Sequence, residues 1–316
     1  MDWIVVGAGS SGAVVAARLT EKSEHTVTLL EAGPDYDPAH LPFDLADGTR
    51  NAMTSHDWKL RHRPNLVSPL SIPFPRGRVV GGSSAVNTCI ALRGQREDYD
   101  EWGALGLPEW SWEKCLPAFV RAENDLDFGD RENHSRTGPL PLRRHPPSEL
   151  TPWSAAFVHV AEERGHSRIP DHNVERPLGV SPHPMNKIAG RRISVAEAYL
   201  TPAVRARENL TIKPDTTVRR ILFRDRKVRA IEIERAGVVR VIETKRVVLA
   251  AGSTATPGIL LRSGLGPERE LARLGVEMIV DSPAVAARLL DHAGNGIFFR
   301  RKKGGPFEDG TDTKEN

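Results

Sequence analysis

The strongest constraint on the fold is the pattern of residues 3–33, in which a short apolar run leads into closely spaced glycines. Residues 3–6 are Trp-Ile-Val-Val, a run typical of a buried parallel strand. Gly7, Gly9 and Gly12 follow this run with the spacing G-x-G-x-x-G, and after them come a stretch of helix formers and a second apolar run at 27–30. The order strand, glycine turn, helix and strand predicts a βαβ unit of a doubly wound α/β fold.

Each part of this unit has a mechanical role in binding a dinucleotide. Gly7 permits a tight turn out of the strand, Gly9 lets the backbone approach a pyrophosphate, and Gly12 lets the helix pack closely on the strand. Free N–H groups at the helix start would face the phosphates. Glu31 ends the second apolar run, where an acidic residue bonds a ribose hydroxyl. A glycine-rich turn between core strands is the alternative interpretation, but it does not account for Glu31.

Composition limits the class of protein. The 316 residues are 39% hydrophobic and 27% charged, which is ordinary for a globular chain of one large or two smaller domains. A net charge of +3 is too small to indicate a nucleic-acid partner. Cys89 and Cys115 lack the spacing of a metal site, so we expect reduced thiols and a cytoplasmic protein. No apolar run has the length of a membrane span.

The first half of the chain mixes loops and helices. Residues 34–75 are rich in proline and predict a long ordered excursion, whereas residues 97–125 predict helical segments. Residues 126–150 are polar and predict a surface loop. Residues 151–165 predict a helix with Thr151 as its N-cap.

The second half changes from helix to strand. Residues 194–206 predict a helix interrupted by Pro202, and 247–251 predict an apolar strand that joins the parallel sheet. After it we expect a helix over 256–261, with Pro257 in its first turn. Alternation with a period of two predicts the strands of an antiparallel meander at 210–212, 218–223, 228–234 and 238–243.

Two further glycine-bearing stretches stand out. Residues 81–84 are Gly-Gly-Ser-Ser, preceded by Arg76 and Arg78 and followed by Asn87, a pattern that suits backbone pressed against a flat ligand. A plain turn is the alternative. Residues 252–266 combine a strand exit, a proline and a glycine stop, so backbone there could face a cofactor, although ordinary helix capping explains them equally well.

Together these stretches resemble the N-terminal part of the glucose–methanol–choline (GMC) family of FAD oxidoreductases. Residues 78–87 resemble its first signature and residues 252–266 its second. Trp58 and the run Gly190-x-Arg192-x-Ser194 also match the family pattern. The resemblance extends from residue 3 to residue 299, and within the family it is to choline and other alcohol dehydrogenases, including the member associated with mycofactocin.

The resemblance implies a fold and a domain division. The fold would be α/β: a doubly wound, FAD/NAD(P)-binding Rossmann-like domain with an antiparallel meander and an incomplete α+β substrate domain. Residues 1–150 would form the first part of the FAD-binding domain and contain a flavin loop at 76–94. Residues 151–200 would start the substrate domain, 201–299 would complete the FAD-binding domain, and 300–316 would be a disordered tail.

The resemblance also implies a non-covalent FAD, because Val86 stands where some relatives carry a histidine bonded to the flavin. The pyrophosphate would lie at residues 7–12, the ribose at Glu31, the flavin near residues 87–90 and adenine at Val218. The full set of implied cofactor-binding residues is Gly7, Ala8, Gly9, Ser10, Ser11, Gly12, Glu31, Ala32, Gly33, Trp58, Arg78, Val80, Gly82, Ser83, Asn87, Thr88, Cys89, Ile90, Val218, Ala251, Gly252 and Ser253.

The family's chemistry is hydride transfer from an alcohol carbon to flavin N5, with a C-terminal histidine as base. None of the 11 histidines matches that motif, so we predict no catalytic residue within this sequence. From the spacing of the cysteines we also predict no metal site. His292 matches a different element, which is altered at Ala286 and Arg288. We therefore expect a chain truncated before the catalytic histidine.

Three functions stay open on the sequence. The first is an FAD-dependent oxidoreductase acting on the CH–OH group of choline or another primary alcohol, and the second is an inactive FAD-binding remnant or interaction module. The third is a nicotinamide dehydrogenase built on the same βαβ unit. The expected partners are a small alcohol, an electron acceptor and a chain that supplies the missing C-terminal part, with no nucleic acid and no membrane span.

Overall fold

The computed structural model describes residues 2–52, 55–63, 65, 67 and 69–291. The predicted tail at 300–316 and His292 lie outside these residues. The described chain forms two compact units: one contains the residues up to Leu45, Ala52–Val86 and those from Ser194 onward, and the other contains Ala46–Asn51 and Asn87–Ile193. The boundaries at 150, 200 and 299 are predicted for the FAD-binding and substrate domains, which are defined by the ligand they bind. These boundaries stay predictions.

The helices and strands are short and numerous. The strands are β1 (Asp2–Val6), β2 (Thr26–Leu30), β3 (Arg61–His62), β4 (Ile72–Pro73), β5 (Glu123–Asp125), β6 (Leu140–Leu142), β7 (Lys187–Ile188), β8 (Arg191–Arg192), β9 (Leu210–Lys213), β10 (Thr217–Arg224), β11 (Lys227–Arg235), β12 (Val238–Glu243), β13 (Val247–Leu249), β14 (Leu265–Gly266) and β15 (Val280–Asp281). The α-helices are α1 (Gly12–Leu19), α2 (Phe43–Ala46), α3 (Arg96–Ala104), α4 (Trp112–Ala122), α5 (Pro152–Glu163), α6 (Val195–Tyr199), α7 (Pro202–Arg205), α8 (Gly252–Arg262) and α9 (Glu268–Leu274). Short 3-10 turns occur at Pro38–His40, Gly82–Ala85, Pro108–Trp110 and Pro147–Glu149.

The first unit is built on a parallel sheet with the strand order β13-β1-β2-β9. Val5 pairs with Leu29 on one side and Val248 on the other, and both Val5 and Leu29 are fully buried. Burial on both sides explains why these strands are continuous apolar runs. The βαβ unit and the return of β13 to the parallel sheet are confirmed.

Strand β9 is not part of the meander that the sequence predicted. It pairs in parallel with β2, through Leu29 and Ile212, whereas the meander contains β10, β11 and β12. The prediction was wrong because a period of two describes which side chains are buried and says nothing about the neighbouring strand. The preceding helices α6 and α7 bring the chain back to the edge of β2, where a parallel strand fits.

The meander packs against the parallel sheet and α8 to form the main core of the first unit. Ile4, Leu30, Ile231 and Ile259 meet there, and Ile231 is fully buried. Each such side chain stabilises the fold by roughly 1.5–3 kcal/mol relative to exposure in water. The core therefore ties the strands that carry the loops described below to a common rigid base.

Two helix predictions differ in outcome. Thr151 caps α5 by accepting a hydrogen bond from the Ser154 N–H at 3.1 Å, as predicted. Helix α8 begins at Gly252, earlier than the predicted start at 256, so Pro257 lies inside the helix. The sequence pattern predicts that Gly252 belongs to the turn that leaves the strand, and its φ of +81° agrees with a turn there. The helix starts within that same turn, which concealed its first residues.

The second unit contains an aromatic group around Tyr99. The Tyr99 ring lies 5.3 Å from that of Trp102 and 5.6 Å from those of Trp112 and Phe119. These residues come from α3 and α4, so the group fixes the packing of the two helices. The helical segments predicted between 97 and 125 are confirmed.

Candidate functional site

The turn that leaves β1 depends on two glycines in contact. Gly7 has φ +93°, and its N–H donates to the Leu30 carbonyl at 2.8 Å. A Cβ at Gly7 would lie 2.5 Å from the Ala250 carbonyl oxygen, and one at Gly12 would lie 1.8 Å from the Gly7 carbonyl oxygen. Neither position can accept a side chain without moving backbone, which agrees with the mechanical roles expected from the spacing.

Glu31 is buried and joins this turn to the end of β2. Its Oε2 accepts from the Ala8 N–H at 2.9 Å and its Oε1 from the Gly33 N–H at 3.0 Å. Burial raises the pKa of the carboxyl, against the effect of these hydrogen bonds and of the nearby charge of Arg78. A carboxylate offers about four lone pairs, so the group can still accept from a hydroxyl beside these backbone donors.

Residues 78–82 contact the same turn. The Gly81 N–H donates to the Ala8 carbonyl at 2.8 Å, and a Cβ at Gly82 would lie 2.6 Å from the Gly9 Cα. A Cβ at Gly33 would lie 2.1 Å from the Arg78 carbonyl oxygen. Two stretches that are far apart in sequence are therefore in backbone contact. The contact requires glycine at position 82, whereas a Cβ at Gly9 would lie at an ordinary 3.6 Å from the Gly82 Cα.

The last two stretches complete the arrangement. The Thr216 N–H donates to the Glu31 carbonyl at 2.8 Å, which places Val218, two residues later, beside the end of β2. The Ala250 N–H donates to the Val6 carbonyl at 2.8 Å, so residues 251–253 leave the sheet next to Gly7. We name residues 7–12, 78–82 and 250–253 the glycine loops. They converge at the carboxyl edge of the parallel sheet, where α/β proteins bind ligands.

The exposed atoms of this edge suit an anionic ligand. Helices α1 and α8 both begin here, and among the described residues no side chain caps the first turn of either helix. Apart from the Ala13 N–H, which donates to the Gly9 carbonyl at 3.1 Å, their N-terminal N–H groups can therefore face a phosphate, assisted by the helix dipole. Ser10, Ser253 and Arg78 are exposed beside them, and the Arg78 guanidinium lies 5.2 Å from the centre of the Trp58 ring.

Residues 87–90 belong to the second unit, so the convergence above does not include them. Asn87, Thr88 and Ile90 are exposed, whereas Cys89 is buried with φ +66°. The Cys89 N–H donates to the Asn87 Oδ1 at 3.0 Å, which closes a tight turn.

The second unit also buries a cluster of charges that the sequence analysis did not single out. Glu123, Asp125 and His134 offer ligand atoms within 4.8 Å of one another, as a metal site would. His134 Nδ1 lies 2.9 Å from Glu123 Oε1, and its Nε2 lies 3.2 Å from Asp171 Oδ2 in an ion-pair contact. We name Arg93, Glu123, Asp125, His134, Arg144 and Asp171 the ionic cluster.

Two arginines donate hydrogen bonds to the carboxylates of this cluster. Arg144 Nη1 donates to Asp125 Oδ2 at 2.6 Å and its Nη2 to Asp171 Oδ1 at 2.5 Å, while Arg93 Nη2 donates to Glu123 Oε2 at 2.8 Å. The surrounding carboxylates, Asp125 first, raise the pKa of His134 to about 10. Three carboxylates therefore face three cations, and a metal ion would have to displace them. The cluster is a charge-balanced structural network.

The ionic cluster corrects the predicted surface loop at 126–150. His134 and Arg144 come from that stretch, and the His134 side chain is only 3% exposed. Polar residues usually indicate exposure, but partnered charges can be buried. No signal within the stretch reveals them, because the carboxylates that partner them, Glu123, Asp125 and Asp171, lie outside it.

A separate groove of about 780 Å³ lies away from the glycine loops. It is lined by Arg224, Lys227 and Lys245 among other charged residues, and two further lining residues, Arg229 and Glu243, form an ion pair at 3.3 Å. Mixed charges in an open groove indicate a solvated surface. Within the described residues, no helix has both the length and the hydropathy needed to cross a bilayer.

Comparison with known proteins identifies the family to which the chain belongs. The model of the family described as GMC oxidoreductase matches residues 1–294. Pyridoxine 4-oxidase of Microbacterium luteolum is 37% identical over 306 residues, which are 96% of this chain and 60% of that protein. The oxygen-dependent choline dehydrogenase of Photobacterium profundum is 35% identical over 293 residues, 92% of this chain and 51% of that protein.

A solved structure supports the same assignment. The crystal structure of pyridoxine 4-oxidase from Mesorbium loti superposes with a TM-score of 0.83 at 33% identity, covering 89% of this chain and 55% of that one. This chain thus spans little more than half the length of the relatives it matches. The GMC oxidoreductases are FAD flavoproteins. On the family match, the fold and the converging glycine loops, the chain belongs to the GMC oxidoreductase family.

Proposed function

We propose that this chain binds FAD at the glycine loops and is the FAD-binding part of an enzyme that oxidises a primary alcohol. The observation that carries the proposal is the backbone contact between residues 7–12, 78–82 and 250–253 at one sheet edge. FAD, when bound, supplies an acceptor for the hydride of the alcohol carbon. The protein's part is to bind and orient this group.

The first unit would bind the adenosine and pyrophosphate part. The N–H groups at the starts of α1 and α8 would face the pyrophosphate, with the hydroxyls of Ser10, Ser11 and Ser253 beside it. The free lone pairs of Glu31 would accept from the ribose hydroxyls. Val218 would meet adenine through its backbone. The flanking residues proposed to shape this part are Ala8, Gly9, Ala32, Gly33, Ala251 and Gly252.

The flavin part would lie near Trp58, Val80, Gly82, Ser83 and residues 87–90. Arg78 places a positive charge beside Trp58 at the exposed side of the loop. For residues 87–90 the proposal rests on the family resemblance. Val86 cannot bond covalently to a flavin as histidine can, so we propose that FAD is bound non-covalently.

The substrate proposal is a primary alcohol, choline-like or of another kind. Relatives named for pyridoxine and for choline support an alcohol without selecting one. Among the described residues, His134 has both ring nitrogens in ion pairs and His159 pairs with Glu163 on the surface, so neither is proposed as the catalytic base. We propose that the base and an electron acceptor are supplied from outside this chain.

The test is a titration of the 316-residue chain with FAD, followed by fluorescence quenching and visible absorbance. We expect one equivalent to bind, and NAD to compete poorly. A chain that binds NAD but no FAD would contradict the proposal. Anaerobic addition of pyridoxine or choline to the flavin-loaded chain then separates two outcomes. Bleaching supports an enzyme that reacts without further chain. A bound flavin that never bleaches agrees with an FAD-binding part whose base is supplied from elsewhere, or with a binding module without activity.

A further inference from the structure

A tight hairpin in the second unit carries a buried arginine. Strands β7 and β8 pair through Lys187 with Arg192 and Ile188 with Arg191, which leaves Ala189 and Gly190 as a two-residue turn. Both turn residues have positive φ, +48° and +76°, as the favoured hairpin turn requires. The run Gly190-x-Arg192 that matches the family pattern therefore consists of a turn residue and the side chain that the hairpin delivers.

The Arg192 side chain is fully buried and contacts two distant carbonyls. Its Nε donates to the Asn87 carbonyl at 3.1 Å, and its Nη2 donates to the Arg50 carbonyl at 2.6 Å. A planar guanidinium can reach both carbonyls at once, whereas the ammonium of lysine is a point charge with a different geometry. Burying a charge costs free energy unless hydrogen bonds compensate it, so the guanidinium and the carbonyls that it contacts hold one another in place.

The segment that Arg192 contacts is organised from several sides. The Asn186 N–H donates to the Cys89 carbonyl at 2.9 Å, and the Ala91 N–H donates to the Pro184 carbonyl at 2.9 Å. Cys89 has φ +66°, which residues other than glycine adopt rarely. The segment is therefore held in an uncommon conformation, with Asn87, Thr88 and Ile90 exposed and Cys89 buried.

We propose that Arg192 is a positioning residue that fixes residues 87–90 in the conformation that meets the flavin. This inference rests on the proposed function, since the flavin contact of residues 87–90 is part of that proposal. Arg192 is buried and acts through the Asn87 carbonyl. The residue thus sets the shape of the surface offered to the cofactor.

The test compares Arg192→Lys with Arg191→Lys, the neighbouring residue of the same strand. We expect Arg192→Lys to weaken FAD binding by about 10- to 100-fold, the loss of one hydrogen bond from a charged group, and to shift the visible circular dichroism and midpoint potential of the bound flavin. Arg191→Lys should change neither. If Arg192→Lys lowers only the melting temperature and leaves the flavin spectrum and potential unchanged at saturating FAD, the proposal is overturned.

A thiol assay separates this inference from the proposed function. In a Cys115→Ser background, Cys89 is the remaining thiol and is buried. Faster reaction of Cys89 with a disulfide reagent in Arg192→Lys supports the positioning of residues 87–90 by Arg192 whether or not FAD binds. A wild-type chain that binds no FAD defeats the proposed function and, with it, the flavin contact of these residues. An unchanged rate overturns the positioning role.

A measurement on the wild-type chain covers the case in which Arg192→Lys does not fold. The Nε–H of a buried, hydrogen-bonded guanidinium exchanges slowly and gives a resolved NMR resonance. A shift of the Arg192 resonance on adding FAD supports contact between residues 87–90 and the cofactor through Asn87. A resonance that FAD leaves unmoved overturns the proposal.

Discussion

The glycine loops of the first unit expose backbone N–H groups where side chains are missing, whereas the ionic cluster of the second unit buries six charged side chains around one another. At the loops, a Cβ at Gly12 would lie 1.8 Å from a carbonyl oxygen. In the cluster, Arg144 nitrogens lie 2.6 Å from the Asp125 carboxylate and 2.5 Å from that of Asp171. The loops should therefore fail when atoms are added, and the cluster when a charge is removed.

This contrast teaches where a ligand can bind. In the part of the chain that the structure describes, no side chain caps the N–H groups at the starts of α1 and α8, so those that do not donate to backbone carbonyls remain available to an anion. The charges of the ionic cluster are already satisfied by one another. A candidate ligand site is therefore better identified by polar groups that lack a partner than by a dense set of charged residues.

The largest effect should come from Arg144→Met. Breaking a buried pair leaves Asp125 and Asp171 without their cation, so we expect the free energy of unfolding to fall by about 3–5 kcal/mol. Denaturant unfolding measures it. The matched control is Arg136→Met, because the Arg136–Asp130 pair at 2.7 Å is exposed and should contribute nothing measurable. Equal effects of the two substitutions would remove the distinction drawn for the cluster.

The next effect should come from Gly12→Ala in the loops. The added methyl would overlap the Gly7 carbonyl, so we expect a loss of about 3 kcal/mol in stability and the loss of FAD binding. The control is Gly258→Ala within α8, where a Cβ meets only the end of the flexible Arg262 side chain at 3.2 Å. FAD titration and thermal melting report both. Normal FAD affinity in Gly12→Ala would count against a backbone-built site.

The ionic cluster should also respond to alkaline pH. Its carboxylates raise the pKa of His134 from 6.5 to about 10, so the contribution of the protonated imidazole is complete below pH 6.5 and is lost as pH rises through 10. We expect the free energy of unfolding to fall by about 3–4 kcal/mol between pH 7 and pH 10, because each pKa unit corresponds to about 1.4 kcal/mol. His134→Gln should flatten this slope in denaturant titrations. An identical slope in wild type and variant would show that other groups cause it.

The smallest effect should come from Ser194→Ala. Ser194 caps α6 by accepting from the Glu197 N–H at 3.4 Å, and the next residue, Val195, donates to the Ser84 hydroxyl at 3.1 Å beside the glycine loops. Losing the cap should cost about 1 kcal/mol in stability and weaken FAD binding only slightly. Ser194→Thr should restore both, as followed by circular dichroism. A large loss of FAD binding in Ser194→Ala would place the cap among the loop contacts.

The sequence by itself determined the local features of this protein. The βαβ unit, the return strand β13 and the Thr151 cap each followed from residues close together in the chain, and membership of the GMC family followed from several such short motifs taken together. The reason is physical: burial on both sides of a strand imposes a continuous apolar run, and a tight turn with positive φ imposes glycine. Both requirements constrain residues that are consecutive in the sequence, so they can be recognised there.

Only the tertiary structure decided which distant residues meet. The partner of β9, the contact of Gly82 with Gly9 and the burial of His134 and Arg144 involve residues far apart in sequence. An alternating strand pattern does not name its neighbour, and a charged residue shows no sign of the opposite charge that allows its burial. These features depend on which surfaces the folded chain brings together, so they appear only in three dimensions.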